Sequence, residues 1–560
     1  MPFKKDSSLE EKLAEERRQA EERDAQRRAQ KLGFSYLNLV SVKVPTEIKA
    51  MEIVPEIQAK DALLVPLQLV KKTLVIAAFN PELPKTKKIL EELKNKYELK
   101  IFVVSLSSLK YIWSFYQYIK KAGSEISGRV EIDEERLSKI QNKIKNLKDL
   151  ANIIEEFKSP LTSQILEIIL AGALQTKSSD IHLEPTALAA TFRLRIDGIL
   201  HIVTEKIDKK TYQSLTTRIK LLSNLKLNIN DQPQDGRFTI DLKDRDIEIR
   251  TSVIPSEYGE TIVMRLLDPL ALKTELEDLG WRKDDFEIVI KEIKKPHGLI
   301  LNTGPTGSGK TTTLYAFLKK LTTPEVKIIT IEDPIEYHLP GISQTQVDPD
   351  VGYTFASGLR SILRQDPDII LVGEIRDKET AEIAMNASLT GHLVFSTLHT
   401  NDAVGAVPRL IDLGVNPQIL GPALTLVIAQ RLVRILCPYC KIEKKISESL
   451  KEEIEKFLEQ LPSRVDKKLF KNYKIYEAGK CDKCANLGYS GRTSIIELFV
   501  ISREIERLIY TNPNEISLKE LARKEGMVTM QEDGILKVLS GVTDFNEIER
   551  ITGPVPFKDL

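Results

Sequence analysis

One segment near the middle of the chain constrains the fold more than any other. The residues Gly304-Pro-Thr-Gly-Ser-Gly309-Lys310-Thr311 follow a short apolar run, Leu299 to Leu301, and precede a helix-like stretch, Thr312 to Leu321. Glycine has no Cβ, so successive backbone N–H groups of such a turn can curl around an anion at the start of a helix. The segment therefore predicts a phosphate-binding loop within an α/β domain.

The side chains of this loop indicate how a nucleotide would be held. Lys310 is placed to reach the β- and γ-phosphates, and the Thr311 hydroxyl to ligate Mg²⁺. An ordinary glycine-rich turn is the alternative, but it does not require the strand, the spacing, the lysine and the threonine together. The residues expected to bind ATP are Gly304, Pro305, Thr306, Gly307, Ser308, Gly309, Lys310, Thr311 and Thr312.

Carboxylates follow two further apolar runs. Ile328 to Ile331 leads into Glu332, Asp333 and Glu336, and the run that starts at position 369 ends at Gly373-Glu374. Because parallel strands end at one edge of a sheet, these acids are expected beside the phosphate-binding loop. Glu332, Asp333 and Glu336 are alternative candidates for positioning water and managing Mg²⁺, and Glu332 and Glu336 are assigned to the catalytic site together with Glu374. Glu374 would either hold the Mg²⁺ shell or polarise the attacking water, and the sequence leaves both roles open.

Basic side chains are candidates for contact with the transferred phosphoryl group. His392 and His399 bracket the apolar run Leu393 to Thr397, which favours a γ-phosphate sensor or a subunit contact over two unrelated structural histidines. An oligomeric ATPase also needs cations that offset charge on that group. Candidates that would act on a neighbouring subunit are Arg193, Arg195, Arg237, Arg250 and Arg265, and the last three are assigned to the catalytic site.

The four cysteines form two pairs late in the chain, Cys437-Pro-Tyr-Cys440 and Cys481-Asp-Lys-Cys484. Four thiolates at this spacing suit tetrahedral Zn²⁺, and a closed shell of four ligands predicts a structural metal. Reduced free thiols are the alternative. The long segment between the pairs indicates that the zinc would hold an insertion together. Such sparse, paired cysteines are also typical of a reducing compartment.

Length and composition predict several domains. A chain of 560 residues exceeds what one hydrophobic core usually organises. No run approaches the roughly 18 apolar residues of a membrane-spanning helix, and the N-terminus lacks the apolar core of a secretory signal. We therefore expect a cytoplasmic protein. A net charge of +1 argues against a general binder of polyanions.

The patterns of apolar residues along the sequence, strand-like in some segments and helix-like in others, predict an α/β multidomain chain. Mixed charges at the start indicate a solvated helix or a flexible arm. Alternating strands and helices from 280 to 430 predict a mostly parallel sheet covered on both faces. The expected segments are a charged helical arm at 1–31, a small α/β domain at 32–121, a linker at 122–150, a middle domain at 151–275, and an ATPase domain at 276–560 that includes a tetracysteine subdomain at 431–492 and a helical C-terminal part at 493–560.

The block from Leu359 to Asp402 resembles the secretion-ATPase superfamily, which drives type II secretion and type IV pilus assembly. The resemblance covers about residues 145–555. The motifs called Walker A, Asp box, Walker B and His box match Gly304–Thr311, Glu332–Glu336, Ile369–Glu374 and Gly391–Asp402. Similar upstream segments are Ser179 to Pro185, Gln234 to Arg237 and Tyr258 to Arg265.

This resemblance implies a homohexameric ring. Each subunit would contain an N-terminal adaptor domain, a PAS-like α+β middle domain and a RecA-like ATPase domain, with ATP between the last two and middle-domain arginines completing the site. Motion would pass to an inner-membrane platform protein, so that membrane contact is indirect and the protein lies at the cytoplasmic face of that membrane. The N-terminal domain and the four cysteines favour a motor that assembles, rather than retracts, a pilus or pseudopilus.

Two other functions are considered. A nucleic-acid translocase or DNA-transfer ATPase could use the same RecA-like core, but the near-neutral charge and the lack of segments that mix aromatic and basic residues argue against it. No stable complex with nucleic acid is therefore expected. A scaffold that binds ATP without hydrolysing it is disfavoured because Lys310, Thr311, Glu336 and Glu374 are all present.

Overall fold

The computed structural model describes residues 9–39, 46–116, 128–131, 139–141, 143–156 and 162–557. The chain divides into two compact units, Met1–Leu267 and Asp268–Leu560. Within the described ranges, no helix combines the length and the apolar character needed to cross a bilayer.

The first unit contains two sheets with helices against them. Its helices are α1 (Leu9–Leu32), α2 (Ile48–Met51), α3 (Glu56–Asp61), α4 (Pro84–Lys94), α5 (Leu106–Trp113), α6 (Leu147–Glu155), α7 (Thr162–Gln175) and α8 (Lys209–Leu222). Its strands are β1 (Ser35–Tyr36), β2 (Leu64–Val70), β3 (Thr73–Ala78), β4 (Glu98–Val103), β5 (Arg129–Glu131), β6 (Asp180–Pro185), β7 (Ala189–Ile196), β8 (Ile199–Asp208), β9 (Gln234–Asp241), β10 (Asp246–Ser256) and β11 (Gly259–Leu267).

The smaller sheet has the order β1-β4-β3-β2, and α1 lies against it. Ala25 and Ala29 of this helix are buried. Arg28 donates to the backbone carbonyls of Phe79 (2.8 Å) and Val104 (3.3 Å), and its guanidinium lies 3.6 Å from the centre of the Phe79 ring. Within residues 16–32 of α1, the buried residues are alanines, and the stem of Arg28 packs beside them. These residues form no stripe of large apolar side chains, so the mixed charges of the sequence favoured a solvated helix or arm.

The larger sheet has the order β5-β9-β10-β11-β6-β7-β8. Burial alternates along β7, where Phe192 and Leu194 are buried while their neighbours are partly exposed. Helix α8 lies against β7 and β8. At the end of α8, a Cβ on Gly236 of β9 would lie 2.2 Å from the carbonyl oxygen of Ser223, so only glycine permits this approach.

The second unit contains one large sheet, one two-stranded ribbon and helices on both faces. Its helices are α9 (Lys283–Ile293), α10 (Lys310–Leu321), α11 (Phe355–Ile362), α12 (Lys378–Leu389), α13 (Ala406–Asp412), α14 (Pro417–Ala423), α15 (Glu448–Gln460), α16 (Arg503–Thr511), α17 (Glu515–Lys524), α18 (Met530–Leu539) and α19 (Phe545–Thr552). Its strands are β12 (Gly298–Thr303), β13 (Ile328–Glu332), β14 (Ser343–Gln346), β15 (Ile369–Val372), β16 (Leu393–Leu398), β17 (Leu424–Leu436), β18 (Ile442–Glu443), β19 (Tyr476–Glu477) and β20 (Tyr489–Val500).

The large sheet of this unit has the order β14-β13-β15-β16-β12-β17-β20. All neighbouring strands are parallel except β17 and β20. Both faces are covered: Leu299 and Leu301 belong to one hydrophobic core, whereas Ile300 between them belongs to another with Phe317 and Phe395. This is the mostly parallel sheet, covered on both faces, that the alternation of strands and helices predicts.

The C-terminal part begins with a strand rather than a helix. Residues 493–500 continue β20, which pairs antiparallel with β17, and helices start only at Arg503. The apolar run from 419 to 429 is mostly buried, and its second half is a strand that extends through Arg431 and Arg434. Those two charged residues concealed the length of β17 in the sequence.

Candidate nucleotide site

The glycine-rich loop joins β12 to α10. Gly304, Gly307 and Gly309 have φ of +150°, +79° and +88°, a region that residues with a Cβ rarely adopt. Lys310 begins α10, and its Nζ donates to the carbonyls of Gly304 (2.7 Å) and Pro305 (3.0 Å). Burial lowers the pKa of Lys310 to about 8, and the nearby Arg431 guanidinium adds to this shift. The loop thus curls around a concentrated positive charge, which suits a phosphate.

The carboxylates predicted from the sequence meet at one edge of the sheet. Strands β13, β15 and β16 end beside the start of α10, and a cleft opens there. Its lining includes Thr311, Glu332, Asp333, Glu336, Phe355, Gly373, Glu374 and Thr397. The structure therefore brings Thr311 and the candidate acids together beside the loop, as expected for parallel strands.

Glu374 has two basic neighbours in this cleft. One carboxylate oxygen lies 2.5 Å from Nη2 of Arg376, and the other lies 3.7 Å from Nε2 of His399. Thr397 donates to the carbonyl of Gly373 at 2.7 Å and fixes the end of β15. A carboxylate held in this way can orient a water molecule or the Mg²⁺ shell. Arg376 lies only two residues after Glu374, but no pattern in the sequence marked it as a partner of that carboxylate.

Glu332 and Glu336 occupy different environments. Glu332 is buried and accepts hydrogen bonds from the Tyr315 hydroxyl, from Thr330 Oγ1 (2.6 Å) and from Gln344 Nε2 (3.0 Å). Three donors already occupy this carboxylate, so it holds β13 to α10 and β14. Glu336 is exposed at the cleft. Of these two acids, Glu336 is the one open to an incoming nucleotide.

The two histidines lie at opposite ends of β16. His399 follows the strand and reaches Glu374, whereas His392 precedes it and places Nδ1 2.9 Å from the carbonyl of Ala387. With six residues between them, the two are about 20 Å apart along the strand. The structure does not bring His392 to the cleft. The rule that places the acids already implies this position, because only the carboxyl end of a parallel strand faces the site and His392 precedes its strand.

Four of the five candidate arginines of the first unit lie in a single row. The register of the larger sheet aligns, across β9, β10, β11, β6 and β7, the residues Arg237, Arg250, Arg265, Asp180 and Arg195. The buried Asp180 accepts from Arg265 Nε at 2.8 Å and lies 3.3 Å from Arg195 Nε. Glu248 lies 3.5 Å from Arg250 and 3.9 Å from Arg237.

This arginine row carries more positive than negative charge. Like charges opposite one another destabilise a sheet, and Asp180 and Glu248 each lie beside two arginines of the row. The arginines could be found in the sequence, but Asp180 was missed. It lies in the segment Ser179 to Pro185, which also resembles the secretion-ATPase superfamily. Arg193, which the sequence also suggested, lies outside the row, pairs with Glu184, and occupies the next position on the same face of β7.

The four cysteine sulfurs form a compact cluster between β17 and β20. The Sγ–Sγ distances are 3.8 Å for Cys437 and Cys481, 3.7 Å for Cys440 and Cys484, and 3.7 Å for Cys481 and Cys484. A tetrahedron with Zn–S bonds of about 2.3 Å has edges of about 3.8 Å. The backbone N–H of Gly488 also donates to Cys484 Sγ at 3.2 Å. The donor set and its spacing fit a tetrahedral metal.

Comparison with known proteins agrees with this geometry. A family described as Type II/IV secretion system protein matches residues 155–550. The type II secretion system ATPase E of Vibrio cholerae is 39% identical over 472 residues, which cover 84% of this chain and 91% of that protein. The type IV pilus assembly ATPase PilB of Thermus thermophilus is 42% identical over 400 residues, which cover 70% and 44% of the two chains.

Among solved structures, the ATPase DotB of Legionella pneumophila has a TM-score of 0.52 at 21% identity, over 71% of this chain and 98% of its own. That likeness shows a shared fold. The family match spans well over half of the chain, across both units. The chain therefore belongs to the Type II/IV secretion system protein family.

Proposed function

We propose that this chain, an ATPase of the secretion family, is the motor that powers assembly of a type IV pilus or a type II secretion pseudopilus. The observation that carries the proposal is the meeting of the phosphate-binding loop with Glu336 and Glu374 in one cleft. The names of the Vibrio and Thermus relatives support a role in secretion or pilus assembly.

Several side chains of the site have a proposed role. Lys310 would release the loop carbonyls and bind the β- and γ-phosphates of ATP. Mg²⁺ held by Thr311 and Glu374 would neutralise charge on the phosphates. Glu374 would orient the attacking water, while His399 and Arg376 hold its carboxylate in place. Thr312 and the remaining loop residues would cradle the phosphates.

We propose that the motor is a homohexamer in which the arginine row of one subunit contacts the nucleotide of its neighbour. Arg237, Arg250 and Arg265 would offset the negative charge on the transferred phosphoryl group. The excess of positive charge in the row supports this assignment. Within each subunit, residues 32–121, 151–275 and 276–560 would serve as the adaptor, PAS-like and RecA-like domains, and zinc bound by the four cysteines would stabilise the last.

Mixing two inactive variants tests the assignment to a neighbouring subunit. Arg265→Ala and Glu374→Gln should each abolish turnover in a pure ring. In a random mixture, an intact Glu374 meets an intact neighbouring Arg265 at about a quarter of the interfaces, so about a quarter of wild-type activity should return. A mixture as inactive as its components would show that Arg265 does not act on the neighbour. Each variant mixed with wild type serves as the control for subunit exchange.

A second measurement tests the motor itself. We expect slow ATP hydrolysis by hexamers, an increase with membranes that contain the platform protein, and no response to single-stranded DNA. Such a result would place the protein at the cytoplasmic face of the inner membrane through that partner. Stimulation by DNA alone would instead indicate a nucleic-acid translocase, and a salt-dependent affinity for single strands would support that conclusion.

A further inference from the structure

Two residues of β17 lie directly against the phosphate-binding loop. Gln430 is buried, and its Oε1 accepts from Asn302 Nδ2 (3.1 Å) and from Thr313 Oγ1 (2.9 Å), which belong to β12 and α10. A Cβ on Gly309 would lie 2.9 Å from Gln430 Nε2. The loop therefore rests on β17 and not only on its own strand and helix.

Arg431 extends from the same strand to the first residue of the loop. A Cβ on Gly304 would lie 2.9 Å from Arg431 Nη1 and 2.5 Å from the carbonyl oxygen of Gln430. The guanidinium donates from Nη1 to that carbonyl at 3.1 Å and from Nη2 to the carbonyl of Asn401, also at 3.1 Å. Glycine at position 304 thus leaves room for an arginine that spans from the loop to the segment after β16.

The segment after β16 carries His399 and is held from several sides. The N–H of Thr400 donates to Thr303 Oγ1 at 2.8 Å, and Asp402 pairs with Lys519 of α17 at 2.7 Å. The N–H of Ala403 donates to a carboxylate oxygen of β20 at 2.9 Å. Among these contacts, the Arg431–Asn401 bond is the one made by a side chain that also touches the start of the phosphate-binding loop.

We propose that Arg431 is a positioning residue for ATP hydrolysis, which joins the start of the phosphate-binding loop to the segment of His399. The proposal rests on the proposed function. When a nucleotide fills the loop, the hydrogen bond from Arg431 to the Asn401 carbonyl would keep His399 in position, and His399 in turn would keep Glu374 in position. The guanidinium acts on protein carbonyls, not on the nucleotide. Its planar fork is essential, because a lysine ammonium keeps the charge but cannot donate in two fixed directions.

The test compares Arg431→Lys and Arg431→Gln with the wild-type hexamer. Both variants should lower kcat by about tenfold, as expected for misplaced reacting groups, while the Kd for ADP and the thermal midpoint stay close to wild type. Lys445→Gln, which removes an exposed charge elsewhere in the unit, should leave kcat unchanged. Wild-type kcat in Arg431→Lys would overturn the proposal, because charge alone would then suffice.

A double-mutant cycle with His399→Ala separates positioning from a merely structural role. If Arg431 acts through His399, the double variant should be about as slow as His399→Ala alone. Losses that multiply would overturn the proposal. Different results would refute the proposed function. Wild-type protein without ATPase activity, or Lys310→Ala with full activity, would refute the site whatever the Arg431 variants do.

Discussion

Lys310 donates hydrogen bonds to two carbonyls of its own loop, those of Gly304 and Pro305. A bound phosphate would have to replace these two carbonyls as the acceptor. Removing this ammonium leaves the loop without its strongest donor to an anion, since an ionised partner makes a stronger hydrogen bond than a neutral one. Lys310→Ala should therefore abolish ADP and ATP binding, measured with a fluorescent nucleotide. Lys320→Ala, on the same helix and paired with Glu277 at the surface, should bind as wild type does. Normal turnover by Lys310→Ala would refute the site assignment.

Individual residues could be identified from the sequence when chemistry fixed their position. Lys310, Thr311 and Glu374 follow strands of a parallel sheet, so the edge at which they meet was predictable. Glu332 shows the limit of this reasoning, because its burial depends on side-chain partners such as Tyr315, which no local pattern encodes. His392 instead follows from the same rule: it precedes its strand, so it lies at the edge of the sheet opposite to Glu374.

At the level of elements, β17 is joined to α19 by a buried carboxylate. Glu547 of α19 is fully buried and accepts from Arg434 Nε (3.1 Å) and Nη2 (2.8 Å), and it also pairs with Arg550. Burial raises the pKa of Glu547, but the hydrogen bonds of Arg550 and Arg434 outweigh burial and hold it below its usual value. The folded protein thus binds this proton less readily than the unfolded chain does.

The sign of this shift predicts how stability varies with pH. The contribution of Glu547 is complete above its ordinary pKa of 4.5 and is lost as the pH falls through the lower folded value. Glu547→Gln should cost about 3 kcal/mol at pH 7, seen as a lower thermal midpoint, and the difference from wild type should shrink below pH 4.5. Glu520→Gln, at an exposed site, should show no such effect. A difference that grew in acid would contradict the assignment.

Elements were predictable where their patterns were regular. The apolar run Leu299 to Leu301 lies within β12, and the helix-like stretch Thr312 to Leu321 matches α10 closely. Strand β17 was not foreseen at full length, because Arg431 and Arg434 interrupt its apolar run and find their partners on other elements. The contact of α1 with its sheet was missed for a related reason, since small alanines and a long basic stem gave no apolar stripe.

At the level of the whole molecule, the cysteine cluster closes the base of an insertion of about 50 residues between β17 and β20. Cys481→Ser should release about one zinc per chain and lower the thermal midpoint, because the closed shell of ligands would be broken. Atomic absorption of the purified protein measures the metal. Asp482→Asn, between two of the ligands, should retain it. Wild-type protein without zinc would rule out the site.

The arginine row also restricts how the chain can change in length. Side chains alternate between the two faces of a strand, so one inserted residue within β10 would turn Arg250 inward and bring Ile249 or Thr251 outward. The loops that join these strands are free of that constraint. Natural relatives should therefore differ in length at the hairpins, whereas within β9, β10 and β11 they should differ only by even numbers of residues. The positions of insertions would then identify this surface more clearly than substitutions do.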